Sequence, residues 1–129
     1  MEHVMRVLQQ AIRVYTERDR WETVIKFYEV LQGVQCERRV HIPETNVDAA
    51  KVGGVLILGA DGDVLDELRL VNAVYYVDSL DESFAWLEMN GSEVIHAPQA
   101  VTGGRNLTAR HPDGLVVEYF EPAKKKETV

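Results

Sequence analysis

The chain has 129 residues, 46% of them apolar and 27% charged, enough to bury one hydrophobic core and too few for several domains. A net charge of −7 argues against nucleic acid as a partner, because a phosphate-binding face needs a surplus of Lys and Arg. Cys36 is the only cysteine, so no intrachain disulfide can form, and no apolar run approaches the roughly 18 to 20 residues of a membrane span.

The first residues show no secretory leader, so a cytoplasmic protein without nucleic-acid or membrane partners is expected. Lys124-Lys125-Lys126 beside Glu127 reads as a solvated tail. Val7 to Tyr15 has an imperfect period of two and predicts a strand. Trp21, Val24, Ile25, Tyr28 and Leu31 then fall at helical spacing, with Gly33 placed to end the helix and Asp19 or Thr16 available to cap it. Val34 to Ile42 reads as a strand broken by Pro43. Val47 to Val52 and Val55 to Leu58 read as two more around a Gly53-Gly54 bend, and Asp61-Gly62-Asp63 signals a turn.

The pattern then starts again. Leu70 to Val77 is a Val- and Tyr-rich strand. Asp78, Ser79 or Asp81 can cap a helix whose apolar side includes Phe84, Trp86 and Leu87 and which Gly91 ends. Glu93 to Ala97 is a strand closed by Pro98, and Thr102-Gly103-Gly104 is a loop. Arg105 to Arg110 is the next strand, Pro112-Asp113-Gly114 a turn, and Leu115 to Phe120 the last strand. Two passes of β-α-β-β-β, over about 7–60 and 70–122 with a tail at 123–129, predict a single α+β domain covering 1–129. Each unit leaves one sheet face uncovered. Pairing two units curls mixed sheets around a shared cleft and leaves the helices on the outer faces. Trp21, Tyr28, Phe84 and Trp86 are read as core residues.

Two stretches carry a family resemblance. Phe27-Tyr28-Glu29-Val30-Leu31-Gln32-Gly33 resembles the Phe-Tyr-x-x-Leu-Gly helix end of the vicinal-oxygen-chelate superfamily, with Gln32 as an extra residue. His111-Pro112-Asp113-Gly114 leading to Glu118-Tyr119-Phe120 resembles that family's Asp-Pro-Asp-Gly…Glu closing strand, with His111 in place of the first Asp. The family includes glyoxalases, extradiol dioxygenases and bleomycin-resistance proteins, and the resemblance runs from about Leu8 to Pro122.

The resemblance implies four metal-ligand positions on the first and fourth strands of each unit. They fall at Gln9, Ile57, Asn72 and Glu118. One carboxylate, two amides and an isoleucine make a degenerate set, since zinc takes Cys, His or carboxylate ligands, normally three or more from the protein. No cofactor is therefore expected; a divalent metal, if one binds, falls to Glu118 and Gln9. His96 reads as structural or exposed, His111 as part of a turn, and Cys36 as lacking a partner for activation.

By strand alternation the cleft face carries Gln9, Arg13, Tyr15, Val55, Ile57, Asn72, Val74, Tyr76, Val116, Glu118 and Phe120. Ile12, Val14, Leu56, Leu58, Tyr75 and Val117 face the helices. A ligand-binding cleft made of Gln9, Arg13, Ile57, Asn72, Tyr76, Glu118 and Phe120 is mostly apolar with a few convergent polar groups, which suits a small organic ligand. No catalytic residue is assigned beyond Glu118 as a candidate general base.

Three functions stay open. The first is a metal-independent binding protein for a small organic ligand. The second is a metal-dependent lyase, isomerase or dioxygenase using Glu118 and Gln9. The third is a non-catalytic interaction module whose cleft is filled by its own side chains. Exposed sheet edges lead to the expectation of a homodimer.

Overall fold

A computed structural model describes residues 5–124. His3 and most of the expected solvated tail, Lys125 and Lys126 included, lie outside them. The elements run β1 (Val7–Glu17), α1 (Trp21–Gln32), β2 (Arg38–Ile42), β3 (Val47–Val52), β4 (Val55–Ala60), α2 (Gly62–Leu68), β5 (Ala73–Val77), α3 (Leu80–Met89), β6 (Glu93–Val101), β7 (Gly104–Arg110) and β8 (Val116–Pro122). With α2 set aside, this is the β-α-β-β-β order twice over in an α+β fold. Among the described residues no helix is long and apolar enough to cross a membrane.

The chain divides into two compact units: Gln10–Val74, and residues 75–124 together with 5–9. In the first unit the strand order is β2-β3-β4-β1, antiparallel from β2 to β4 and parallel between β4 and β1. Its helix α1 forms because Trp21, Val24, Ile25 and Tyr28 line one side, where they pack on Val14, Ala50, Val52, Val55 and Ile57. A 3-10 turn, Arg18–Arg20, leads into it. The cap position is therefore Arg20, which offers no side-chain bond, and neither Thr16 nor Asp19 caps.

Gly33 ends the helix as the sequence predicts. Its φ of 67° is left-handed, its amide reaches the Val30 carbonyl, and the Val34 amide reaches that of Glu29. These two bonds close the last turn of the helix, and glycine makes the conformation without a Cβ clash.

Helix α2 replaces the turn expected at Asp61-Gly62-Asp63. Glycine disfavours helix by roughly 1 kcal/mol. Here the burial of Leu65 against Val47, Ala49, Leu58 and Ala60 outweighs that cost. Val64 and Leu68 extend the contact, so α2 covers the face of the sheet opposite α1.

In the second unit the order is β5-β8-β7-β6, with β6, β7 and β8 antiparallel. Ser79 caps α3, its hydroxyl accepting from the Glu82 amide at 3.2 Å, and Glu121 accepts from the Leu80 amide at 2.7 Å. The buried residues of α3 are Leu80, Ser83 and Leu87. Trp86, expected in the core, lies one helical step off that stripe and is 44% exposed. Strand β6 runs on through Pro98 to Val101 instead of closing there. It is the last strand of its sheet, and Pro98 falls where the register shifts between His96 and Gln99, a place where a missing amide costs no ladder bond.

Candidate functional site

In the first unit, side-chain direction follows from strand register. Val14 pairs with Ile57 and Tyr15 with Leu58, so Val14 and Ile57 share the α1 side. Arg13 and Tyr15 share the other side with Leu56 and Leu58. This corrects the assignment of Ile57 and Val55 to the cleft. Ile57 is fully buried beneath α1, where the Trp21 indole also donates to its carbonyl oxygen at 3.1 Å. Ile12, expected under the helices, is 58% exposed, because the α1 cluster reaches Val14 and no further along β1.

Arg13 is half-buried, with its guanidinium carbon 5.4 Å from the centre of the Tyr15 ring. The Tyr15 hydroxyl donates to the Val71 carbonyl, and the Asn72 carbonyl accepts from the Arg13 amide at 3.2 Å. The side of the first unit that carries Arg13 is thus occupied by α2 and the segment after it.

The second unit holds the polar site. In β8, Val116, Glu118 and Phe120 lie on one face, and Val117 and Tyr119 on the other. The β7–β8 register sets Thr108 opposite Glu118 and Asn106 opposite Phe120, and the β6–β7 register adds His96 opposite Thr108 and Gln99 opposite Asn106. These groups bond to one another across the strands. The Asn106 amide donates to Glu118 Oε2 at 2.9 Å, and Gln99 Nε2 donates to Asn106 Oδ1 at 3.4 Å. The Thr108 hydroxyl meets His96 Nε2 at 2.7 Å. On the same face the Tyr76 and Phe120 rings meet edge to face, their centres 5.9 Å apart. Thr108 therefore lies between two titratable side chains, with an aromatic pair alongside.

Of the residues expected in the cleft, Tyr76, Glu118 and Phe120 share this face. Gln9 lies exposed on β1 and Asn72 exposed just before β5. Sequence reading missed His96, Gln99, Asn106 and Thr108. The signal was present in the two turns: Thr102-Gly103 joins β6 to β7, with Gly103 at φ 87°, and His111 to Leu115 joins β7 to β8. Together they fix which β7 residues oppose Glu118.

The superfamily's metal can be tested against these donors. Among the described residues no group of three or more His, Cys, Asp or Glu side chains converges. Ile57 has no donor, and the side-chain atoms of Gln9 and Asn72 are neutral amides. This donor set does not fit a resident divalent ion, whose protein ligands are normally three or more charged or imidazole groups.

No protein-family model matches the chain, and no curated protein matches it. Solved structures do. An uncharacterized protein from Methanosarcina mazei is 35% identical over 96% of this chain and 99% of its own, with a TM-score of 0.84. A hypothetical protein from Bacillus halodurans C-125, 15% identical over 98% and 100%, has a TM-score of 0.70. Methylmalonyl-CoA epimerase from Mycobacterium tuberculosis, 16% identical over 96% and 94%, has a TM-score of 0.68. The epimerase is a member of the superfamily whose helix end and closing strand the sequence resembles, and its likeness here is one of fold. With the repeated β-α-β-β-β order in place and methylmalonyl-CoA epimerase among the structures it resembles, this chain has the fold of the vicinal-oxygen-chelate superfamily, which it shares along almost its whole length with a 35% identical relative.

Proposed function

We propose that this protein binds a small organic molecule on the Glu118 face of its second unit, in the cytoplasm and without a resident metal. The observation that carries the proposal is the arrangement of Glu118, held by the Asn106 amide, beside the Tyr76–Phe120 ring pair. A carboxylate fixed by a neighbouring amide is a directional acceptor, and an aromatic pair offers a flat apolar surface. The fitting ligand has a hydrogen-bond donor such as an amine or hydroxyl, placed next to a planar or apolar body. The His96–Thr108 pair extends the polar strip and selects for a second polar group on the ligand.

Divalent-metal content is measured on protein purified without chelator, together with melting curves in the presence of nickel, zinc, manganese and iron(II). Binding only to the folded state raises the melting temperature with ligand concentration. The proposal expects no stoichiometric metal and no metal shift, but shifts from amine- or hydroxyl-bearing aromatics that Glu118→Gln reduces. One tightly bound divalent ion per chain, or a metal shift lost in Glu118→Ala, would overturn it.

A second reading makes Glu118 a general base in proton transfer, and is favoured by one observation: His96 and Glu118 flank Thr108 on a single face. The epimerases of the same fold are named for a reaction on methylmalonyl-CoA. Solvent deuterium uptake into a bound carbon acid, absent in Glu118→Gln, is the result this reading requires. We further propose a homodimer, since β2 and β6 end their sheets and leave a free edge. A monomeric mass by light scattering at micromolar concentration counts against it.

A further inference from the structure

The second unit contains a groove on the face away from Glu118, which the proposed ligand site does not use. Tyr75 and Tyr119 line it from β5 and β8, Trp86 and Leu87 from α3, and His111 from the turn before β8. Its volume is about 930 Å³, within the range of small-molecule sites. Asn90 and Ser92, just past the end of α3, add neutral polar groups, Arg6 and Asp113 add charged ones, and the remaining lining is largely apolar.

Its aromatic residues form a defined cluster. The Tyr75 and Tyr119 rings meet edge to face at 5.5 Å, and His111 stands 5.9 Å from each. His111 Nε2 and the Tyr119 hydroxyl are 2.6 Å apart. Tyr119 is only 4% exposed, and burial, with the Tyr75 phenol next to it, pushes its pKa up to about 12. It keeps its proton at neutral pH, and its hydroxyl shares a hydrogen bond with His111 Nε2. That bond fixes the imidazole, so the wall of three rings is rigid and preorganised. A half-exposed Trp86 indole lines the same groove, where closing over an apolar core would have buried it. Rigid aromatic walls with a polar rim suit a flat guest, which gains edge and face contacts at little ordering cost.

We infer that this groove is a second small-molecule site, taking a planar aromatic compound of one or two rings with a polar substituent directed at Asn90 and Ser92. It lies on the opposite face of the β8 strand from Glu118, so occupancy of the two sites is separable by mutation.

The test titrates the whole protein with uncharged 2-methoxynaphthalene and 2-acetonaphthone, which carry no hydrogen-bond donor for Glu118, following Trp86 emission and probe fluorescence. The expected result is saturable binding of one or both probes at one per chain, with quenching or energy transfer that disappears in Trp86→Phe. Ser92→Phe, which narrows the groove, raises the dissociation constant at least tenfold, and Trp86→Ala weakens binding while the melting transition stays cooperative. Glu118→Gln leaves probe affinity unchanged.

Failure of both probes to saturate overturns the inference, as does binding that survives both Ser92→Phe and Trp86→Ala. Probe binding lost in Glu118→Gln but not in Ser92→Phe assigns the probe to the other face and also overturns it. Probe binding that falls as protein concentration rises, in step with a doubling of mass by light scattering, assigns the groove to a second copy of the chain and overturns it too.

Discussion

Replacing Ile57 with alanine separates the core placement of this residue from the cleft position that the family pattern implies. An isoleucine on an open cleft wall loses little on truncation, because part of its side chain already meets water. In the structure Ile57 is fully buried between Val14, Val55 and the α1 residues Trp21, Val24 and Ile25. Truncation there loses the transfer free energy of the removed carbons and leaves a cavity that α1 and the sheet fill only in part. Together these cost about 2 to 5 kcal/mol. For a chain of this size each kcal/mol lowers the melting temperature by roughly 3 to 5 °C. A fall on the order of 10 °C or more is expected.

Ile12→Ala is the internal control, since Ile12 has the same side chain on a strand adjacent to β4 but is 58% exposed. It is expected to change stability by less than about 0.5 kcal/mol. Urea denaturation with intrinsic tryptophan fluorescence reads both variants. Trp21 packs in the same cluster as Ile57 and reports on that unit directly. If Ile57→Ala costs less than about 1 kcal/mol, or no more than Ile12→Ala, the assignment of β4 faces is wrong.

Removing the α3 cap in Ser79→Ala takes the hydroxyl acceptor from the Glu82 amide and costs about 1 kcal/mol, measurable by the same denaturation. Arg105→Ala lets the Asp81 carboxyl, held below its ordinary value by hydrogen bonding and attraction to Arg105, titrate at higher pH, which carbon-detected NMR resolves. In the wild type that depressed pKa makes the folded state lose stability as pH falls through the acidic range, and the variant loses less. The Tyr119 phenol has the opposite sign of linkage. Its folded pKa of about 12 lies above the ordinary value of 10, so its contribution is whole below pH 10 and disappears as pH rises to 12. Ultraviolet titration near 295 nm shows a late phenolic step that Tyr119→Phe removes.

How far the sequence foretold the structure depends on what fixed each element. Helix α1 was legible because both of its determinants are local: a stripe of apolar side chains and a glycine where the chain reverses. Strand β3 was legible end to end, since Val47 and Gly53 bound it. Helix α2 was not, because the Asp61-Gly62-Asp63 turn signal at its start masks the helix formers Leu65, Glu67 and Leu68, and what decides it is the burial of Leu65, which is a tertiary event. The face of Ile57 was misread for a related reason. Val55-Leu56-Ile57-Leu58 is apolar throughout, so alternation carries no information, and only pairing with Val14 decides which side meets α1. In the site, Glu118 was legible through its family motif. Its neighbours Asn106, Thr108 and His96 follow from cross-strand register, which the sequence carries only in the two turns that join β6 to β7 and β7 to β8.

The two repeats share an order of elements but differ in what their uncovered faces can do. In the first unit, β4 presents Leu56 and Leu58 on the side that carries Arg13, and the chain then turns into α2, which packs Leu65 onto that side. That side of the first unit is packed with apolar side chains. In the second unit the equivalent closing strand presents Glu118 and Phe120, and its β7 neighbour supplies Asn106 and Thr108. Polar atoms on a sheet face need partners, and here they find them in one another across strands, which holds them in fixed directions. The cross-strand polar network is therefore a feature of the second repeat. It follows that Asn106→Leu, which removes the donor to Glu118 and changes nothing in the first unit, is expected to weaken ligand binding about tenfold, the ordinary worth of one charge-assisted hydrogen bond. Leu65→Ala, which opens the first unit, is expected to lower stability by about 2 to 5 kcal/mol and to leave binding by the remaining folded protein unchanged. Equal losses of ligand affinity in the two variants, measured below the melting transition of each, would show that the site is shared between the repeats.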